Sequence, residues 1–263
     1  MNNLTFKVCS ADGTIKAQRT DADRVMLVFN DEYAEGDYIT FEVEKPGVFV
    51  VLMFDDAIGE SFVYMKAGST DFEVPFGEKK VCYQPKCFMG NMHLMSARIA
   101  EKYEIDVYKN LACNKYDLHG DRGIFPHASA NVETRGESVF AAKNAINGNC
   151  ENHSHGFWPY ESWGINQDPN AEMTLDFGRK IKTDKIVLYT RADFPHDAWW
   201  ESVTFNFSDG SVLTCSLEKS DKPHVITFDE KEIEWLKFGK LIKADDPSPF
   251  PALSQIEVYG TEA

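Results

Sequence analysis

A chain of 263 residues, 43% of them hydrophobic, is long enough to bury two cores or one large β core. Its formal net charge of −15 argues against nucleic acid and against an anionic membrane surface, both of which need clustered Lys and Arg. A neutral or cationic ligand is the easier partner.

The opening stretch MNNLTFKVCS lacks a basic segment followed by an apolar run, and no later run reaches the roughly 18 apolar residues of a membrane span. The expected location is therefore the cytoplasm. The six cysteines show no C-x-x-C spacing and no tight framework, so free thiols in a reducing compartment are expected.

The first half reads as β structure. In YITFEVEKPGVFVVLMF, Ile39, Phe41 and Val43 alternate with Thr40, Glu42 and Glu44, and Lys45-Pro46-Gly47 breaks the run into two strands. SFVYMKAGSTDFEVPF repeats the theme, with a turn at Ala67-Gly68-Ser69 and a strand around Phe72 to Phe76. MHLMSARIAEKYEIDVY fits either a strand pair or a short helix, and its β neighbours favour strands. From Asn110 to Pro126 the pattern lapses into polar residues, glycine and proline, which marks a boundary. Beyond it come AEMTLDFG, KIVLYTR, ESVTFNFSDGSVLTCSLE, HVITFD, IEWLKFGKLI and LSQIEVYG, successive short strands with turns between them. Asp209-Gly210 tolerates the positive φ of a tight hairpin. The expected architecture is all-β: a β-sandwich domain over residues 1–115 and a jelly roll over 122–263.

ASANVE, AAKNAINGN, SWGIN, MTLDFGRKIKTDKIVLYTR and ALSQIEVYG, in that order over Phe125 to Gly260, resemble the discoidin-like domains. These are also called coagulation-factor C or galactose-binding-like jelly rolls, and many carbohydrate-binding modules of bacterial glycosidases are among them. The resemblance implies that Arg191 ends the central strand and points into a ligand pocket. It also implies that Asn147-Gly148 is the turn that often accompanies a structural calcium ion, with Gln255 at a second position of that site. The family usually has Asp where Asn147 stands and often a carboxylate where Gln255 stands, so both changes remove charge from a hard-cation site.

The candidate ligand residues form two clusters. YTRADFPHDAWW places Arg191, Asp193, His196 and Asp197 beside Trp199 and Trp200 where a strand ends. ENHSHGFWPYESWG supplies His155 and Trp158, with Trp163 expected in the core. Arg donates to two adjacent hydroxyls, Asp accepts from two, and an aromatic face covers the C–H face of a sugar ring. The expected partner is a neutral mono- or oligosaccharide bound without chemistry, His155 and His196 adding neutral hydrogen bonds, Trp158 and Trp199 apolar faces. Within KADDPSPFPALSQ, a stiff loop before the last strand, Asp245 or Phe250 would rim the same site.

Other classes use the same residues. Asp193 and Asp197 could pair as the carboxylates of a glycoside hydrolase, although four residues apart in one loop fixes no distance. His127, His153, His155 and His196 could approach one another around zinc, but the sequence has no H-E-x-x-H or C-x-x-C. The aromatics could equally be a protein-interaction patch. Oligomeric state is not written in any of these patterns.

Overall fold

A computed structural model describes residues 1–154, 156–192 and 198–263. The chain is all-β. Eight strands come first: β1 (Asn3–Cys9), β2 (Ile15–Ala22), β3 (Arg24–Phe29), β4 (Tyr38–Val43), β5 (Val48–Met53), β6 (Ser61–Met65), β7 (Ser69–Glu73) and β8 (His93–Ile99). After them come β9 (Lys109–Asn110), β10 (Ile124–Phe125), β11 (His127–Ala130), β12 (Trp163–Gly164), β13 (Met173–Thr190), β14 (Trp200–Phe207), β15 (Val212–Ser216), β16 (His224–Lys243) and β17 (Ala252–Glu262).

The early strands form two antiparallel sheets, β2-β1-β4-β7 and β10-β6-β5-β8-β3. The alternation read in β4 does what it predicts: Ile39, Phe41 and Val43 are buried and join Leu4, Phe6, Val50, Leu52 and Phe72 in one core between the sheets. Only part of MHLMSARIAEKYEIDVY is strand. After β8 the chain turns into the one-turn helix α1 (Lys102–Ile105), where Glu101 and Glu104 cap each other's backbone N–H groups. Arg98 then grips Glu104 through two bonds of 2.7 Å.

The later strands form a single folded sheet, β12-β17-β13-β16-β14-β15, with β11 on β13 and β9 on β17. Its long members bend rather than stop. The pairing of β13 with β16 jumps between Asp176 and Ile181, and Gly178 occupies that bulge at φ +69, where a Cβ would meet the Phe125 ring at 2.4 Å. The hairpin at Asp209-Gly210 forms as read, joining β14 and β15, with Gly210 at φ +84. Trp163, Trp200, Phe205, Phe238 and Leu253 lie in this second core.

The polar stretch read as a boundary crosses between the cores more than once. Lys109 and Asn110 pair with β17, Tyr116 and Ile124 pack into the first core, and Ala128 packs into the second. Further ties run across the seam. Glu78 accepts from the Ser138 N–H at 2.6 Å, and the Arg179 guanidinium lies 4.9 Å from the centre of the Phe49 ring. All six cysteines are free thiols.

Candidate functional site

Arg191 is the first residue beyond β13, and its backbone N–H donates to the Ala252 carbonyl at the start of β17 (3.1 Å). The side chain is 2% exposed and its Nη1 donates to the Tyr160 carbonyl at 2.8 Å. Those bonds fix a guanidinium in the wall of a hollow of about 180 Å³ at the end of the C-terminal sheet. Phe250 forms another part of the wall and is 47% exposed, so much of its ring is open to water.

The rim opposite comes from the turn after β12. Asn166 and Gln167 both adopt left-handed backbone, φ 50 and φ 60, and both are exposed. Two consecutive non-glycine residues in that region are strained, and such strain collects at ligand sites. The Asn166 N–H donates to Thr134 Oγ1 at 2.9 Å, which anchors the turn. Close approach makes Gly164 obligatory, because a Cβ there would sit 2.6 Å from Thr134 Oγ1. Arg135 completes the rim, stacked 5.9 Å from the centre of the Phe140 ring and paired to Glu137 at 2.7 and 2.9 Å. That hydrogen-bonded pairing raises the Arg135 pKa and lowers that of Glu137. Among the described residues no carboxylate lines this hollow.

The other site residues read from the sequence fall in several places. Asp193, His196, Asp197 and His155 lie outside the described residues. Trp158 lines a different cavity, described below, which shares no residue with the Arg191 hollow. Trp199 is partly buried and packs against the second core. Trp200 is wholly inside, edge-on to Phe238 at 5.8 Å. Trp163 is also core, its indole N–H donating to the Val132 carbonyl. Among the described residues, then, Arg191 and Phe250 are brought together, whereas Trp158 and Trp199 stand apart from them. Asp245 is exposed and does not line the hollow.

Two contributors went unread. Asn166 and Gln167 look like ordinary turn residues in the sequence, and their one signal was position, just after the Trp-Gly pair.

At the turn implied for calcium, the side-chain oxygens already have partners. The Asn149 N–H donates to Asn147 Oδ1, and the Gly148 N–H donates to Gln255 Oε1 at 3.1 Å. A carboxylate at this turn, Glu161, is buried and accepts from the amides of Asn147 and Asn149 and from the Tyr160 N–H. An ion would have to displace N–H donors from amide oxygens, and hard cations favour carboxylates. His127 is bound to Asp117 at 2.8 Å and His153 is exposed. No cluster of three or more His, Cys, Asp or Glu side chains among the described residues is placed to hold a metal.

No protein-family model matches the chain, and no curated protein does. Among solved structures, it is similar to chitosan-binding module 1 of a chitosanase/glucanase from Paenibacillus sp. IK-5 (TM-score 0.41, 18% identity, 59% of this chain and 100% of that one). It is also similar to a Streptococcus pneumoniae fucose binding module (TM-score 0.42, 14% identity, 58% of this chain and 98% of that one). A third is the family 32 carbohydrate-binding module of C. perfringens NanJ in complex with galactose (TM-score 0.42, 16% identity, 58% and 99%). At such identities the ligand contacts have to be argued from this chain's own residues.

Proposed function

We propose that the chain is a non-catalytic carbohydrate-binding protein that takes a neutral mono- or oligosaccharide in the Arg191 hollow. One observation carries this reading: a guanidinium that is 2% exposed and a phenyl ring that is 47% exposed flank the same hollow. A sugar presents hydroxyl pairs and an apolar C–H face. Arg191 donates to the hydroxyls, Asn166 and Gln167 both donate and accept at the rim, and Phe250 covers the apolar face.

Hydrogen bonds to a charged group contribute about 1.5–3 kcal/mol each, and an aromatic face about 0.5–1.5 kcal/mol by analogy with ring pairs. Ordering and desolvation costs leave about −4 to −8 kcal/mol, a millimolar to micromolar dissociation constant. Hydrolysis needs a carboxylate pair across the bond, and none of the hollow's described wall residues is a carboxylate.

A glycan array followed by calorimetry tests the reading, with galactose, fucose and a chitosan oligomer among the ligands. Phe250→Ala removes the exposed ring without touching the core. It should weaken the array-positive sugar roughly fivefold, the loss of about 1 kcal/mol, at an unchanged melting temperature. Equal affinity in the variant would place the site elsewhere.

A further inference from the structure

A second cavity, of about 220 Å³, opens at the seam between the two cores. Cys82 and Tyr83 contribute from the first half of the chain, and Asp117, Lys143 and Trp158 from beyond them. The Lys143 ammonium donates to Tyr83 Oη at 3.1 Å and to Cys82 Sγ at 3.4 Å, and stands 4.4 Å from the centre of the Tyr83 ring. These partners are a phenol, a thiol and a π face. Among the described residues no carboxylate forms an ion pair with it. The carboxylate on the same wall, Asp117, is already engaged, one oxygen with His127 Nδ1 and the other with the Ala128 N–H, both at 2.8 Å.

Another lining residue shows a matching deficit. The Trp158 indole nitrogen is buried, and its N–H has no acceptor among the described residues. A buried donor without an acceptor is costly, and so is a cation withdrawn from water without a counter-charge. Both groups lack the same thing, lone pairs carrying negative charge. The lining holds two lysines, Lys115 and Lys143, against the single carboxylate of Asp117, in a chain whose net charge is −15.

We propose that the seam cavity binds a small carboxylate, one oxygen meeting the Lys143 ammonium and the other the Trp158 indole N–H. Two lysines set against the one carboxylate of Asp117 leave the lining one net positive charge, which favours a monocarboxylate over a phosphate dianion. The volume equals about seven waters at ~30 Å³ each, enough for an acid of a few carbons. The Gln84 amide on the same lining, whose oxygen accepts from the Lys86 N–H, keeps its N–H donors for a hydroxyl substituent, so hydroxy acids are the preferred class. Because the wall residues come from both halves of the chain, occupancy ties the halves together. The site is independent of the sugar reading.

The test follows the indole N–H signals of the full-length, ¹⁵N-labelled protein, with the Trp158 signal assigned through Trp158→Phe. Glycolate and glycerate should move that signal in a saturable way, whereas glycerol and matched sodium chloride should not. Lys143→Met should weaken the carboxylate response at least tenfold. At ten times the dissociation constant the melting temperature should rise by about 2–3 °C. A Trp158 signal that stays still up to about 50 mM carboxylate, well beyond millimolar binding, overturns the proposal. So does an equal response to glycerol or chloride, or a response to inorganic phosphate and not to carboxylate. Should Lys143→Met not fold, the wild-type comparison of glycerate with glycerol decides alone.

Discussion

Replacing Arg191 with Ala tests whether that side chain is a ligand contact alone or also part of the frame. As a pocket contact alone, Arg191 would on loss cut sugar binding at least tenfold and leave the melting temperature nearly unchanged. The structure predicts otherwise. The side chain is 2% exposed and holds the Tyr160 carbonyl at 2.8 Å. A hydrogen bond from a charged donor contributes about 1.5–3 kcal/mol, and emptying a buried long side chain adds about 1–2 kcal/mol of lost packing. The sum is about 2.5–5 kcal/mol. Unfolding entropy near 2.1 cal/mol/K per residue over 263 residues gives about 2 °C for each kcal/mol. Arg191→Ala should therefore melt about 5–9 °C lower by scanning calorimetry, besides losing the sugar. A loss of sugar with the melting temperature within 1 °C of wild type would refute the bracing role. Arg191→Lys keeps the charge but not the planar fork, so it should recover part of the stability and little of the binding.

Gly164→Ala places a Cβ 2.6 Å from Thr134 Oγ1, so it should cost about 1–3 kcal/mol by overpacking and weaken sugar binding by distorting the hollow; urea melts and calorimetry on the same samples read both effects. Asn147→Asp sets a second carboxylate beside Glu161, which should destabilise by about 2 kcal/mol in chelator and be reversed by millimolar calcium; a variant indifferent to calcium would deny this turn any cation role. Hydrogen bonding to Arg98 lowers the Glu104 pKa from 4.5 to about 2. Because the folded value lies below the unfolded one, the contribution is complete above about pH 4.5 and fades as the pH falls towards 2. Water around the pair holds it to about 1 kcal/mol, so the stability gap between wild type and Glu104→Gln should be about that size at pH 6 and narrower at pH 3. A gap independent of pH would contradict the pairing.

What the sequence made legible follows from which physics was local. The alternation in β4 and the Asp209-Gly210 turn depend on neighbouring residues, and both form where they were read. β2 escaped notice because it is an edge strand with almost every residue exposed, so IKAQRTDA carries no apolar period to detect. The helical turn at Lys102 was signalled by Glu101 and Glu104 three residues apart, but the β texture around it outweighed so short a cue.

The sites depend on longer range, and there composition was a better guide than direction. That Arg191 ends a strand and that Phe250 could rim its site were both readable, but that Trp158 belongs to a different cavity requires knowing how the chain packs between the strands. Lys143 is the sharper case. Within AAKNAINGN it looks like a solvated lysine, because Cys82 and Tyr83, which hold its ammonium, lie about sixty positions earlier in the chain. Its meaning exists only once residues from the two halves of the chain meet. A site built across such a seam can be lost by loosening the halves, with every one of its own residues intact, whereas the Arg191 hollow draws its walls from the second half of the chain and should survive that change. Removing the Glu78 acceptor with Glu78→Ala would separate the two cases. The Trp158 indole response to carboxylate should weaken while sugar affinity stays the same, because Glu78 holds Ser138 across the seam and does not line the Arg191 hollow.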